Sequence, residues 1–277
     1  MIDNRADLHT HTSFSDGQMT PAALIEEAVW KGLSAIAVTD HDTIGGIAEA
    51  EAAGRSQMID VIPGIELSCE LDGRETHILG YCFSAPERLA ATTTELRERR
   101  YERMKKMILR LAPLGIRVTL EEVAAEARNR IIGRPHLARV MVAKGYVSSV
   151  GQAFSRYIGD ECPGNVPKDR LTVREGIDLI HAAGGVAVLA HACTSRLETE
   201  LPRIVELGIE GLEVYHPDHQ AAHEELLLKA AADMNLLVTG GSDYHGTGFE
   251  GRLLGTRFVP FEHVEKLRER ARMWKGA

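Results

Sequence analysis

At 277 residues, with 44% apolar and 26% charged side chains, the chain is long enough for one large α/β barrel carrying an insertion, and its composition argues against global disorder. A net charge of −8, with no block of like charge, disfavours broad electrostatic binding of duplex nucleic acid. The opening MIDNRADLHT carries Asp3, Arg5 and Asp7 where a signal peptide needs an apolar core, and no run reaches the ~18 apolar residues of a membrane span. The expectation is a cytoplasmic protein whose cysteines, Cys69, Cys82, Cys162 and Cys193, are free thiols without C-x-x-C pairing.

In chain order, short β-rich runs at Ala6–Thr10, Ala35–Thr39, Asp60–Pro63, Thr76–Cys82, Gly185–Ala190, Gly211–Tyr215 and Leu236–Thr239 alternate with amphipathic segments. That alternation predicts a parallel sheet with crossover helices. The first helix has Thr20 as N-cap, Pro21 at its first position, an apolar face of Leu24, Ile25, Ala28 and Val29, and Gly32 beyond Lys31. Further helices are expected at Ser56–Ile59, Leu201–Leu207 and Glu224–Met234. From Pro86 to Asp169 the rhythm breaks into a long charged amphipathic helix and shorter ones around LEEVAAEAR, RPHLARVMVAKG and VGQAFSRYIG, which reads as a mostly helical insertion.

Chemistry begins at DLHTHTSFSDG. In an extended strand alternate side chains share a face, so Asp7, His9 and His11 project together. Two imidazoles converging on one point suit Zn²⁺, Mn²⁺ or Fe, and Asp7 fits the part of a carboxylate that accepts a ring N–H and fixes the tautomer. One H-x-H is weak by itself. It gains weight from AVTDHDT (Asp40, His41, Asp42), PGIELSCE (Glu66), THILGY (His77), VAVLAHAC (His191), LEVYHPDH (Glu213, His216) and GGSDYHG (Asp243, His245), all at or near predicted strand ends. In a parallel α/β barrel the C-terminal strand ends form the face where active sites sit.

With DLHTHTSFSDG, TDHD, Glu66 with His77, His191 and GSDYHG in this order, the chain resembles the PHP (polymerase and histidinol phosphatase) family of metal-dependent phosphoesterases over nearly its whole length. It looks most similar to small stand-alone bacterial members with a helical insertion bearing RPHLAR (here Arg134–Arg139) and a segment like NVPK (Asn165–Lys168), known as nucleotide 3′,5′-bisphosphate phosphatases and trimming 5′→3′ exoribonucleases. The resemblance implies a distorted (β/α)7 TIM-like barrel formed by residues 1–85 and 170–277, with residues 86–169 as a helical insertion or lid. It further implies up to three divalent or transition metal ions: His9, His11, Glu66 and Asp243 on the first, Asp16, His41 and His245 on the second, and a bridging Glu66 with His77 and His191 on the third. Ligands of this kind, without thiolate, suit Mn²⁺, Fe²⁺/Fe³⁺ or Zn²⁺, with Mn²⁺ the ion expected for activity. The expected mechanism is attack on phosphorus by a metal-bridging hydroxide, with Asp16 among the catalytic residues.

An anionic substrate also calls for a cation, for which Arg134 is the first candidate, beside His136, with Lys168 and Arg196 behind it. His216 is read either as a group behind the ligands or as a general acid for the leaving alcohol. Family members often follow the fifth-position histidine with proline; Ala192 stands there in this chain, which leaves the next loop and Arg196 open. His181, His219, His223 and His263 are read as solvated, the middle pair sharing a helical face, and Arg97–Lys106 as a charged helix face. The expected substrate is a small phosphorylated molecule, a nucleotide or short RNA, with no duplex DNA and no membrane as partner. Histidinol-phosphate phosphatase and a metal-dependent amidohydrolase are the alternative enzymes, and a metal-stabilised protein-binding module is the non-catalytic one.

Overall fold

The computed structural model describes residues 4–127, 132–192, 196–246 and 252–274. Cys193, expected to be a free thiol, lies outside them. The chain divides into two compact units, residues 1–93 with 170–277 and residues 94–169.

The first unit is built on one nine-stranded sheet. Strand β1 (Arg5–Asp7) is followed by α1 (Pro21–Trp30), β2 (Ala35–Val38), α2 (Ile47–Gln57), β3 (Asp60–Leu71) and β4 (Arg74–Tyr81). After the second unit come β5 (Leu171–Thr172), α7 (Val173–Ala182), β6 (Val186–Leu189), α8 (Leu197–Glu206), β7 (Gly211–Tyr215), α9 (Ala221–Asp233), β8 (Leu237–Gly240), β9 (Val259–Pro260) and α10 (Glu262–Ala271). The sheet order is β8-β7-β6-β4-β3-β2-β1-β9, with β5 paired off β3. It curls back on itself, because the Leu8 N–H donates to the Gly240 carbonyl at 3.1 Å and the His11 N–H to the Tyr244 carbonyl at 2.9 Å. Gly241 permits this closure: a Cβ there would lie 2.3 Å from the His9 nitrogen.

Most neighbouring strands run parallel, as the alternation predicts, but β4 is antiparallel to both β3 and β6. The reversal comes from a tight turn at Asp72 (φ 52) and Gly73 (φ 76), the Asp-Gly pair that favours two positive φ angles in a hairpin. β3 therefore extends well beyond Pro63, the expected end, because its last residues pair with β4. The second crossover helix begins at Ile47 rather than near Ser56.

Inside the barrel, small side chains at Ala6, Ala35, Ala37 and Ala190 make room for Tyr81, whose hydroxyl donates to the Leu8 carbonyl at 2.8 Å. α1 starts as read: the Thr20 hydroxyl accepts the Ala23 N–H at 3.2 Å, Pro21 opens the helix, and Leu24, Ile25 and Ala28 are buried. Burying a leucine or isoleucine in this way contributes roughly 1.5–3 kcal/mol.

The second unit is helical. α3 (Glu87–Leu111) runs into it, followed by α4 (Leu120–Glu126), α5 (Arg134–Ala143), α6 (Val150–Ala153) and a wider turn at Phe154–Ile158. Leu89, early in α3, packs in the core of the first unit; Met104, Met107 and Leu111, later in it, join Val123, Leu137, Met141 and Ile158 in a separate core. α4 has a complete capping box between Thr119 and Glu122, which satisfies two backbone N–H groups at its start. Among the described residues no helix is long and apolar enough to cross a membrane.

Candidate metal centre

The assigned strand β1 stops at Asp7, yet the chain stays extended beyond it. The Thr39 N–H donates to the Thr10 carbonyl at 2.9 Å, and the Thr10 hydroxyl donates to the Ala37 carbonyl at 2.6 Å, so the edge of β2 holds the next residues straight. His9 and His11 thus keep the alternation, both fully buried, with ring centroids 5.1 Å apart. They face Glu66, which sits mid-way along β3.

Glu66 is the hub. Its Oε2 lies 3.2 Å from His9 Nε2, 3.3 Å from His11 Nε2 and 3.0 Å from His41 Nδ1. Its Oε1 lies 2.7 Å from His77 Nδ1 and 3.1 Å from His191 Nε2. His77 reaches this rim from the first half of β4, because the antiparallel direction brings that end to where the parallel strands finish. Asp243 Oδ1 is 3.1 Å from His11 Nε2 and 3.5 Å from His9 Nε2. Asp16 Oδ1 is 3.3 Å from His245 Nε2, and Asp16 Oδ2 is 4.0 Å from His41 Nε2. All nine residues expected as ligands are gathered here. His11 also joins Asp16, His41 and His245 in a group whose donor atoms lie within 4.8 Å of one another, so it borders two of the expected positions.

These donors fit divalent ions better than they fit each other. Among the described residues, both ring nitrogens of His11, Nδ1 of His41 and Oδ1 of Asp16 are buried and make no hydrogen bond of proper geometry, although charged partners stand close to His11 Nε2, His41 Nδ1 and Asp16 Oδ1. His77 Nδ1 and His191 Nε2 face one another at 3.3 Å. Orphaned nitrogen and oxygen lone pairs converging in a buried site are what a metal position requires. The electrostatics agree: burial would raise the Glu66 and Asp16 carboxyls, but the surrounding imidazoles outweigh it and hold both well below the usual carboxylate range. His41 is pushed down to about 3, by burial first of all. Backbone strain also collects here, with His191 at φ 27 and Asp243 at φ 48, conformations that cost a non-glycine residue roughly 1–3 kcal/mol each.

The carboxylate that fixes His9 is not Asp7. Asp7 accepts the Ser242 N–H at 2.9 Å, the Ser242 hydroxyl at 2.6 Å and the Gly255 N–H at 2.9 Å, and so fastens the chain next to Asp243. Burial pushes its carboxyl up to about 6, against these hydrogen bonds. The His9 ring instead meets Glu213, with Nδ1 2.9 Å from Oε1. Glu213 was visible only as a strand-end acid; a single acid in the otherwise apolar run GLEVY was the available signal, since a buried charge needs a partner. Asp40 and Asp42 also turn away from the centre. Asp40 accepts from the Thr12 N–H, the Thr12 hydroxyl and the Ser15 hydroxyl, and Asp42 accepts the Ser68 N–H at 2.7 Å.

His216 is fully buried beside the cluster. The Asp218 N–H donates to its Nδ1 at 3.2 Å, which leaves Nε2 to donate to Asp243 Oδ2 at 3.3 Å. Arg252 also contacts Asp243 Oδ2, and it pairs with Asp218 at 2.9 Å. Arg196 stands at the start of α8, pairs with Glu200 at 3.5 Å, and lines a cavity of about 270 Å³ together with His77 and His191. Arg134, His136 and Lys168 belong to the helical unit. Arg134 pairs with the exposed Asp160 at 2.5 Å and lies over the Phe154 ring, while buried His136 accepts the Gly133 N–H on Nδ1 at 3.1 Å. Lys168 borders a groove with Arg99, Arg103 and Lys106.

The histidines read as solvated are tied down more than expected. His219 is buried, its Nδ1 donating to the Val214 carbonyl at 2.8 Å, and it precedes α9, so it shares no helical face with His223. His181 pairs with Glu210 at 3.0 Å and stacks on Trp274, and His263 Nδ1 donates to the Val238 carbonyl at 2.9 Å.

A model of the PHP domain matches residues 7–132. A 5′-3′ exoribonuclease of Haemophilus influenzae is 33% identical over 88% of this chain and 91% of its own. A phosphoribosyl 1,2-cyclic phosphate 1,2-diphosphodiesterase of Eggerthella lenta is 33% identical over 87% and 94%, and a 3′,5′-nucleoside bisphosphate phosphatase of Chromobacterium violaceum is 32% identical over 90% and 90%. A solved structure from Bifidobacterium adolescentis, ascribed to the metal-dependent phosphoesterases, superposes with a TM-score of 0.87 at 32% identity, covering 96% of each chain. Joined to a rim of imidazoles and carboxylates around Glu66 on a distorted barrel, these likenesses lead to one conclusion: the chain belongs to the PHP family and is a metal-dependent phosphoesterase.

Proposed function

We propose that the protein hydrolyses phosphate esters of small nucleotides, such as 3′,5′-bisphosphonucleotides, or trims short 5′-phosphorylated RNA, at a trinuclear centre. The observation that carries this reading is Glu66, whose two oxygens face two separate sets of rings: His9, His11 and His41 on one side, His77 and His191 on the other. A carboxylate so placed suits a bridge between ions. His9, His11, Glu66 and Asp243 would hold the first ion, Asp16, His41 and His245 the second, and Glu66, His77 and His191 the third. Divalent ions in such a site lower the pKa of bound water and neutralise phosphoryl oxygens.

The chain's own residues orient and receive the substrate. His216, with Nε2–H directed at Asp243, is assigned to holding that carboxylate rather than to protonating a leaving group. His245 Nδ1–H donates to the Asp243 carbonyl at 2.8 Å, which turns its Nε2 toward Asp16. Arg134, His136 and Lys168 are assigned to phosphate or nucleotide contacts, with Arg196 at the cavity beside His77 and His191. Asp160 is exposed, and exchanging an exposed ion pair for a phosphate costs little, since such pairs contribute only about 0–1 kcal/mol.

Mn²⁺-loaded protein is assayed on 3′,5′-bisphosphoadenosine, 5′-phosphorylated oligoribonucleotides, phosphoribosyl 1,2-cyclic phosphate and histidinol phosphate. Turnover of either of the first two supports the reading. Turnover confined to one of the others overturns it and names the substrate class instead.

A further inference from the structure

Glu213 is fully buried in the middle of β7, and its two oxygens serve two different elements. Oε1 meets the Nδ1 of His9 at 2.9 Å, and Oε2 accepts the backbone N–H of His191 at 2.8 Å. His9 lies on the Oε2 side of Glu66, and His191 lies on its Oε1 side. One carboxylate therefore reaches behind both ends of the cluster.

Each contact has a distinct job. An N–H on His9 Nδ1 leaves its Nε2 as a lone-pair donor aimed at Glu66 and Asp243, the tautomer a metal ligand needs. His191 stands at φ 27, a left-handed backbone that its side chain disfavours, and the charge-assisted bond from its N–H to Glu213 favours that conformation. The side chain of His191 then reaches Glu66 Oε1.

We propose that Glu213 is a positioning residue that couples the two ends of the metal centre, fixing the His9 ring and the His191 backbone through a single carboxylate. The proposal rests on the ligand sets assigned above. An ion that orders His9 orders Glu213, and through it His191, so occupancy of one end favours occupancy of the other; by linkage the effect runs equally in reverse. A carboxylate is required because both partners are donors. Glutamine of the same shape has one acceptor oxygen and would turn its amide N–H groups against the second donor.

The test is Mn²⁺ binding itself. Protein stripped with chelator is titrated with Mn²⁺ while free ion is counted by electron paramagnetic resonance, for wild type, Glu213→Gln and Glu213→Asp. Glu213→Gln is expected to weaken the positions served by His9 and His191 about 10–100-fold, the usual effect of losing a group behind a ligand, and to leave the Asp16, His41 and His245 position near wild type. Glu213→Asp, which keeps two acceptor oxygens on a shorter arm, is expected to show the same selectivity to a smaller degree, and it decides the matter if Glu213→Gln does not fold. Unchanged binding, or an equal loss at every position, overturns the proposal, the latter being what a merely structural glutamate gives. If wild type takes up no Mn²⁺, the assigned ligand sets fail, which is a different result from a wild type that binds Mn²⁺ and a variant that binds it equally well.

Discussion

In the helical unit the acids and bases stand at the surface in pairs, Arg139 with Glu126 at 2.6 Å and Lys105 with Glu102 at 2.6 Å, around a core of Met104, Met107, Leu111, Leu137 and Met141. At the barrel rim the arrangement is inverted. Glu66, Glu213, Asp7 and Asp40 are buried, and imidazoles rather than aliphatic chains surround the first two. Apolar burial stabilises the helical unit with no ion present, whereas the rim accumulates strained backbone and desolvated charge, and a cation held there would offset that charge. A region that carries function tolerates local cost; a region that carries packing does not.

The largest effect expected from this contrast is at Glu66. Glu66→Gln removes the anionic hub and is expected to reduce turnover by more than the ~10–100-fold typical of a group behind a ligand, with loss of bound Mn²⁺ measured by elemental analysis. Retained metal and turnover would erase the distinction between rim and core. Met107, fully buried in the helical unit, gives the opposite signature: Met107→Ala is expected to lower stability by about 2–5 kcal/mol in denaturant unfolding, while the barrel's Mn²⁺ content is unchanged. Arg139→Ala, at a surface pair, is expected to change stability by less than about 1 kcal/mol, and a larger loss would mean that the charges of this unit do more than solvate it.

The smallest effect concerns pH. Burial, and then Lys266, hold His263 below its ordinary value of 6.5. The stability its neutral ring contributes is present above pH 6.5 and is lost as pH falls below it, because the unfolded chain then takes up a proton that the folded chain resists. Replacing His263 with Asn, whose amide can still donate to the Val238 carbonyl, should flatten the fall in melting temperature between pH 7 and 5. An unaltered slope would assign that pH dependence to other groups.

Much of the rim is legible because its imidazoles stand in compact local patterns. His9 and His11 alternate along an extended segment, and His41, His191 and His245 each follow a short apolar run, so strand periodicity alone aims them at one end of a sheet. The reversed direction of β4 runs against the parallel sheet that alternation with helices predicts, and its local signal is the Asp72-Gly73 turn alone. The exchange of roles between Asp7 and Glu213 had no local signal of comparable strength. Asp7 neighbours His9 in sequence, but closure of the sheet brings Ser242 and Gly255 to Asp7, and β7 carries Glu213 to the His9 ring. His219 departs from a solvated position for a similar reason, its partner being the carbonyl of Val214 at the end of the preceding strand.

The most direct test of the central claim, a polynuclear centre bridged by Glu66, is anomalous diffraction from crystals of Mn²⁺-loaded protein. The expected result is manganese peaks on both sides of Glu66, one beside Oε2 with His9 and His11 and one beside Oε1 with His77 and His191. A single ion, or none within reach of Glu66, would contradict it.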